Sequence, residues 1–289
     1  MSLNKLIKYN NKRYRNRYIL IAIIVIIIIL LMVFFIILKN TKKSKAVEQK
    51  ETDNENMMLT AELKEKEERE KEKKEEEMAK GIIYLTFDDG PSSTVTPQIL
   101  DILKQKNIKA TFFVLHYTDE NAKYIKEEKE QGHTIGLHGY THNYSEVYQS
   151  VDACIDNFKK IQQQVKETTG YTANTVRFIG GSSNTVSKKY CEGIMTEATQ
   201  RVLNEGFRYF DWNIDSDDSG KAKTSADVYN NVVSGIKENR NNVVLMHDFA
   251  NNEKTVEALP SIIDYGLENG YVFRKITDDT PMLIHTVKN

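Results

Sequence analysis

Two adjacent carboxylates, Asp88 and Asp89, close an apolar run in YLTFDDGPSST (residues 84–94), and a Gly-Pro turn follows. Neighbouring acids repel each other, and at the end of a hydrophobic strand they are costly to desolvate. Their placement asks for a cation. Two histidines four residues apart, His138 and His142 in GLHGYTHNY, can present two imidazoles to one ion. Adding one carboxylate makes an Asp-His-His set with positions left for water and substrate, which suits a catalytic zinc or a similar divalent ion. The other carboxylate is then free to take a proton from a water that the metal activates, and the cation offsets the repulsion within the acid pair. Arg177, in TVRFIGGSSN, is available to hold that carboxylate ionised. His247, in VVLMHDF, with Asp211 or Asp248 as its carboxylate, can supply a proton to a leaving group. The chemistry is metal-assisted hydrolysis of an ester or amide.

Such residues need elements that bring them together. From Gly81 onward, short apolar runs alternate with turns and amphipathic stretches. The runs Ile82–Phe87, Ala110–Leu115, His133–Leu137, Thr175–Ile179, Phe207–Trp212, Asn242–Met246 and Tyr271–Ile276 read as strands. A helix is predicted over about Glu146–Thr168, where Val147, Val151, Ile155, Phe158, Ile161 and Val165 share one face. Thr96-Pro97 reads as an N-cap with proline at the first helical position. Strands separated by helices imply βα units and a parallel sheet, either open and doubly wound or closed into a barrel. In both, chemistry gathers at the carboxyl ends of the strands, where the acids and histidines named above fall.

TFDDG at 86–90, HGYTH at 138–142, RFIGGS at 177–182, DWN at 211–213 and LMHD at 245–248 resemble, in order, the five motifs of the NodB-homology polysaccharide deacetylases, carbohydrate esterase family 4. The resemblance covers about residues 81–278. It implies an α/β fold, a distorted (β/α)7 barrel, and a divalent metal cofactor, zinc or else cobalt. It implies Asp88 as general base, Asp89, His138 and His142 as metal ligands, and Arg177 as the group orienting Asp88. His247 would be the general acid, tuned by Asp211, with Trp212 and Leu245 walling an acetyl-methyl pocket. The metal and a backbone N–H near Gly180 would stabilise the oxyanion. Gly139 departs from the family pattern by standing where Ser or Thr is usual, which removes a hydroxyl from the metal loop. Ile179 stands where proline is usual and does not fix φ as proline does. Gly180-Gly181 replaces an aromatic residue and opens the groove floor.

Upstream of this region the chain changes character. Ile19–Leu38 is twenty apolar residues without a charge. As a helix it spans about 30 Å, the hydrocarbon thickness of a bilayer. Lys5, Lys8, Lys12, Arg13, Arg15 and Arg17 precede it with no acid, whereas the lysines that follow are mixed with Glu48, Glu51 and Asp53. That bias places the N-terminus inside. The reading is a basic cytoplasmic N-terminus (residues 1–18), one uncleaved transmembrane helix (19–38), a charged helical or disordered stalk (39–80) and a catalytic domain (81–289) outside the cell. A cleaved signal peptide is the alternative. The stalk carries Glu62–Lys66, Glu65–Arg69, Glu67–Lys71 and Glu70–Lys74 at the favourable i,i+4 spacing.

Residues 81–289 hold 22 Lys and Arg against 28 Asp and Glu, too acidic a balance for a nucleic-acid partner. Cys154 and Cys191 can form one disulfide or stay as buried thiols. The acidic DSDDSG at 215–220 lacks the full calcium-loop pattern and reads as a polar loop. His133 reads as the start of a strand, His285 as a surface residue beyond the last strand, and His116 as a surface or groove-edge residue. The resemblance, taken with the anchor and stalk, implies a cell-surface hydrolase that would remove N-acetyl groups from the GlcNAc or MurNAc of peptidoglycan. Chitin-like polymers or O-acetylated xylan are alternative substrates. A wall-binding module weakened by the changes at Gly139 and Ile179 is the alternative from another class.

Overall fold

A computed structural model describes residues 3–289, the side chains of residues 3–14, 16, 42, 44–49 and 51–53 aside. The first helix, α1 (Leu3–Met78), contains the apolar segment. Its stretch Arg17–Thr41 is long and apolar enough to cross a membrane, with a mean hydropathy of 3.9 and no buried residue. Further along, Arg69 reaches Glu65 at 2.6 Å, one of the expected i,i+4 pairs. Both side chains are well exposed, so the pair contributes little.

Residues Lys73–Asn289 form a compact unit of their own, built on a parallel sheet. The strands are β1 (Ile82–Asp88), β2 (Thr111–Val114), β3 (Thr134–Leu137), β4 (Thr175–Val176), β5 (Arg208–Tyr209), β6 (Ile214–Asp215), β7 (Asn241–His247) and β8 (Val272–Phe273). The sheet order is β5-β4-β3-β2-β1-β7-β6, with β8 also paired to β1. β7 runs along one whole edge of β1, from Ile82 opposite Asn241 to Asp88 opposite His247. β2 and β8 share the other edge, β2 beside Thr86–Asp88 and β8 beside Ile82–Ile83. Among the described residues β5 and β6 do not pair with each other, and residues 210–213 cross between them. The result is a curled half-barrel, the distorted parallel barrel expected from the sequence.

Helices α2 (Thr96–Lys106), α3 (Ala122–Glu130), α5 (Val151–Thr169), α6 (Ile194–Asn204), α7 (Ser225–Gly235) and α8 (Glu253–Glu268) follow the strands, with a short α4 (Tyr144–Val147) ahead of α5. The apolar face of α5 buries Cys154, Ile155, Phe158, Ile161 and Val165, and Phe158 meets Phe178 edge-on at 5.5 Å. β1 is buried almost throughout because both of its faces are covered.

Three local differences from the expected elements have tertiary causes. The run Phe207–Trp212 shortens to β5, and β6 begins only beyond it, because Asp211 leaves the ladder: its N–H donates to the Leu283 carbonyl at 2.7 Å. The helix expected over Glu146–Thr168 breaks at Tyr148–Ser150. Tyr148 is drawn inward to donate its hydroxyl to the Ile179 carbonyl at 2.8 Å, and extended Ser150 caps α5 by accepting from the Ala153 N–H at 3.1 Å. Pro97 occupies the first turn of α2 as expected, but Thr96 is not its cap. Ser92 Oγ accepts from the N–H groups of Val95 and Thr96 instead. Cys154 and Cys191 are both free thiols, and burial pushes the Cys154 thiol up to about 12.

Removing a cap and removing a core ring should cost different amounts. Ser150→Ala is expected to lower stability by about 1 kcal/mol and Phe158→Ala by about 3–5 kcal/mol, read from urea unfolding of the two variants. Equal losses would mean that α5 is held by its cap and not by its apolar face.

Candidate active site

β1 ends in the acid pair because its last residue, Asp88, is still in the ladder while Asp89 turns out of it with φ 74°. The two side chains therefore diverge. Asp88 is almost completely buried, and its Oδ1 accepts from Arg177 Nη1 at 2.8 Å. Arg177, just beyond β4, is itself fully buried. It also donates to Thr86 Oγ1 at 2.7 Å and to the carbonyls of Phe210 and Asp211 at 2.9 and 3.2 Å. Its guanidinium lies 4.1 Å from the Phe113 ring and 5.7 Å from the Trp212 ring. Burial raises the Asp88 pKa despite the opposing charges of Arg177 and His247.

Asp89 faces the two histidines. Its Oδ1 is 3.5 Å from His138 Nε2 and 3.7 Å from His142 Nε2. His138 donates its Nδ1–H to the Arg177 carbonyl at 2.9 Å, which leaves Nε2 as the free lone pair. Burial lowers the His138 pKa to about 4 in spite of Asp89, so the ring is neutral and able to bind a cation. Asp89 Oδ1 is buried and has no hydrogen-bond partner. An orphaned carboxylate oxygen beside two converging imidazoles is what a divalent ion would satisfy. One ligand atom from each of the three residues lies within 4.8 Å of the others, so the set fits such an ion.

His247 ends β7 in register with Asp88. Its Nδ1–H donates to Asp218 Oδ1 at 2.7 Å, and its backbone N–H to Asp218 Oδ2 at 2.8 Å. Thr255 and Asn252 complete the shell of Asp218 Oδ2 at 2.6 and 2.9 Å. Burial works against charge on His247. The bond to Asp218 and the negative charges of Asp218, Asp88 and Asp89 outweigh it and raise the pKa to about 9. Burial also opposes ionisation of Asp218, but its bonds to His247, Thr255 and Asn252 hold it below the usual range.

The remaining expected residues lie on β7, between β5 and β6, and just after β4. Leu245 is buried on β7 opposite Thr86. Trp212 packs edge-on against His285 at 5.0 Å. Gly180, at φ 72°, has the Tyr144 hydroxyl where a Cβ would be, 2.3 Å away. Any side chain there would displace that ring.

A family description, "Polysaccharide deacetylase", matches residues 75–194. The peptidoglycan-N-acetylglucosamine deacetylase of Bacillus cereus is 31% identical over 207 residues, which are 69% of this chain and 70% of that protein. The chain belongs to the polysaccharide deacetylase family. The deacetylase is also 34% identical over 197 residues to the peptidoglycan-N-acetylglucosamine deacetylase PgdA of Listeria monocytogenes, but spans only 38% of its length. The crystal structure of the catalytic domain of a peptidoglycan N-acetylglucosamine deacetylase from Eubacterium rectale superimposes with a TM-score of 0.69 at 43% identity. It covers 72% of this chain and 94% of that one.

One expected pairing is corrected. Asp211 does not touch His247: its carboxylate accepts from the Ser182 N–H at 2.8 Å, from the Ser182 hydroxyl, and from the His285 N–H at 2.7 Å. Asp248 does not hold His247 either, because Thr96 Oγ1 donates to it at 2.6 Å. The partner is Asp218, inside the acidic run expected to be a polar loop. His285 is likewise no free surface residue. It bonds the Trp212 carbonyl through Nε2 at 2.6 Å, and its Nδ1 is 3.0 Å from Ser183 Oγ. His116 packs on the Tyr140 ring at 4.4 Å in a tilted arrangement, both residues being exposed.

Asp218→Asn should bring the His247 pKa down from about 9 toward or below its ordinary value near ~6.5. The alkaline limb of a pH–rate profile should move to lower pH in step. The same raised pKa stabilises the fold, fully below about 6.5 and progressively less as pH climbs through 9. The variant's stability should lose that pH dependence. An unmoved alkaline limb would remove His247 from the proton-transfer role.

Proposed function

We propose that the deacetylase hydrolyses the acetamide of N-acetylglucosamine in peptidoglycan, using a divalent ion, zinc or else cobalt, held by Asp89, His138 and His142. The observation that carries this reading is the meeting of a base, an acid and a cation-binding set at the carboxyl ends of adjacent strands, with Asp88 and His247 in register on β1 and β7. When bound, the ion supplies Lewis acidity, making a water nucleophilic at neutral pH and offsetting charge on the acetyl oxygen.

The protein's own groups do the rest. Asp88 Oδ1 is occupied by Arg177, so Oδ2 receives the proton of the attacking water. The burial that raises the Asp88 pKa makes it a stronger base. His247 is protonated below about 9 and delivers its Nε2 proton to the departing amine while Asp218 holds Nδ1. The Gly180 N–H donates to the developing oxyanion, and Trp212 with Leu245 flanks the acetyl methyl. Asp211 acts on that wall, through Ser182 and the His285 backbone, and takes no part in the proton transfers.

The substrate is inferred from the Bacillus cereus and Listeria relatives, whose names give peptidoglycan N-acetylglucosamine, together with the apolar segment Arg17–Thr41. That segment serves as an uncleaved anchor, with the domain outside the cell and facing the wall.

Acetate release from purified peptidoglycan by the full chain in mild detergent tests the reading. Release should stop on chelation, return with zinc or cobalt, and leave GlcNAc in the muropeptides as the deacetylated sugar by mass spectrometry. Asp88→Asn should lower the rate by about 10²–10⁴-fold. Wall binding with no acetate released under any metal would sink the hydrolase assignment, and loss of acetyl from MurNAc alone would move the substrate.

A further inference from the structure

His138 follows directly on β3, but His142 lies farther along the loop, with its side chain 44% exposed. How its Nε2 sits relative to His138 and Asp89 therefore depends on the three residues between the histidines. That loop has little hold on the sheet: the Gly139 N–H reaches the Val114 carbonyl only at 3.4 Å. The hold comes from α5. Asn157 Oδ1 accepts from the N–H groups of Tyr140 and Thr141, each at 2.9 Å. Its Nδ2 donates to the Thr141 carbonyl at 3.2 Å, and its own carbonyl accepts from Tyr140 N–H at 3.2 Å. Asn157 is 5% exposed, so water competes little for these bonds.

Gly139 makes the arrangement possible. At φ 153° a Cβ there would stand 2.2 Å from Asn157 Nδ2. A side chain at 139 and the amide at 157 cannot keep their present places together. The two positions are one fitted pair, eighteen residues apart in sequence, with the ligand loop gripped between them.

We propose that Asn157 is a positioning residue of the metal site, holding loop 139–141 so that His142 stands within reach of His138 and Asp89 before an ion arrives, and that Gly139 is matched to it. The proposal rests on Asp89, His138 and His142 being the ligands. A loop set in advance spares the ion the cost of ordering it. Groups that orient ligands from outside the coordination sphere are worth about 10–100-fold in metal affinity.

The test measures zinc affinity by chelator competition, and the visible spectrum of the cobalt-loaded protein, on the full chain in mild detergent. Asn157→Ala should weaken zinc binding by about 10–100-fold and alter the cobalt bands, which report ligand geometry. Gly139→Ser should also weaken it, because the new Cβ strikes the amide. The combined variant should bind zinc more tightly than Gly139→Ser alone, since the obstructing amide is gone. Asn157→Ala within about twofold of the unaltered protein with the same cobalt bands, or a combined variant weaker than Gly139→Ser, overturns the proposal. Should Asn157→Ala not fold, Gly139→Ser decides alone, and unchanged zinc affinity and cobalt bands in it overturn the pairing. An unaltered chain that binds neither metal overturns the ligand assignment and this proposal with it, whereas binding that ignores position 157 overturns only the latter.

Discussion

A guanidinium shut away from water must be partnered on every side, because an uncompensated buried charge costs several kcal/mol. Arg177 meets that demand by fastening three parts of the chain at once. Its side chain ties β1 through Asp88 and Thr86, and the segment between β5 and β6 through the Phe210 and Asp211 carbonyls. Its own carbonyl orients His138. The proposed base, one proposed metal ligand and the Trp212 wall thus share one mount, and none can move without disturbing the pairing of a buried charge.

Around that mount the environment assigns different states to like residues. His138 and His247 are both buried. Burial prevails at His138 and keeps it neutral, whereas the Asp218 hydrogen bond prevails at His247 and keeps it charged to about 9. The acids divide in the same way. Asp88 is pushed up because burial exceeds what Arg177 returns, while Asp218 is pulled down by a full set of donors. The proposed proton donor, proton acceptor and neutral ligand differ through the polar atoms that each ring or carboxylate faces, since all are buried.

The sequence made the ladder-borne part of this site legible. Asp88, His247 and the end of β3 are tied to apolar runs whose boundaries can be read, and the ordered motifs located Asp89, His142 and Arg177 beside them. What it hid depends on contacts across long stretches of chain. Asp218 is one of three aspartates in residues 215–218, and nothing local marks it as the one that His247 will claim. Asp211 was assigned to His247 by motif position, but Ser182 and the backbone of His285 take its carboxylate first. The division of β5 from β6 has the same origin. Asn157 left a fainter trace: a polar residue on the otherwise apolar face of α5, which is a reason to look for a buried partner. The glycine at 139, which removes a hydroxyl from the metal loop, coincides with the space that the Asn157 amide fills.

The gap between β5 and β6 makes one wall of the site depend on residues beyond the last strand. Asp211 is held by Leu283 and His285, the latter 74 residues downstream. Trp212 is steadied by the same histidine. A chain cut just after β8 would keep every strand and helix of the sheet and lose the pieces that set this wall. Both proposed proton-transfer residues and the proposed cation set would remain, and only the proposed acetyl wall would lose its support.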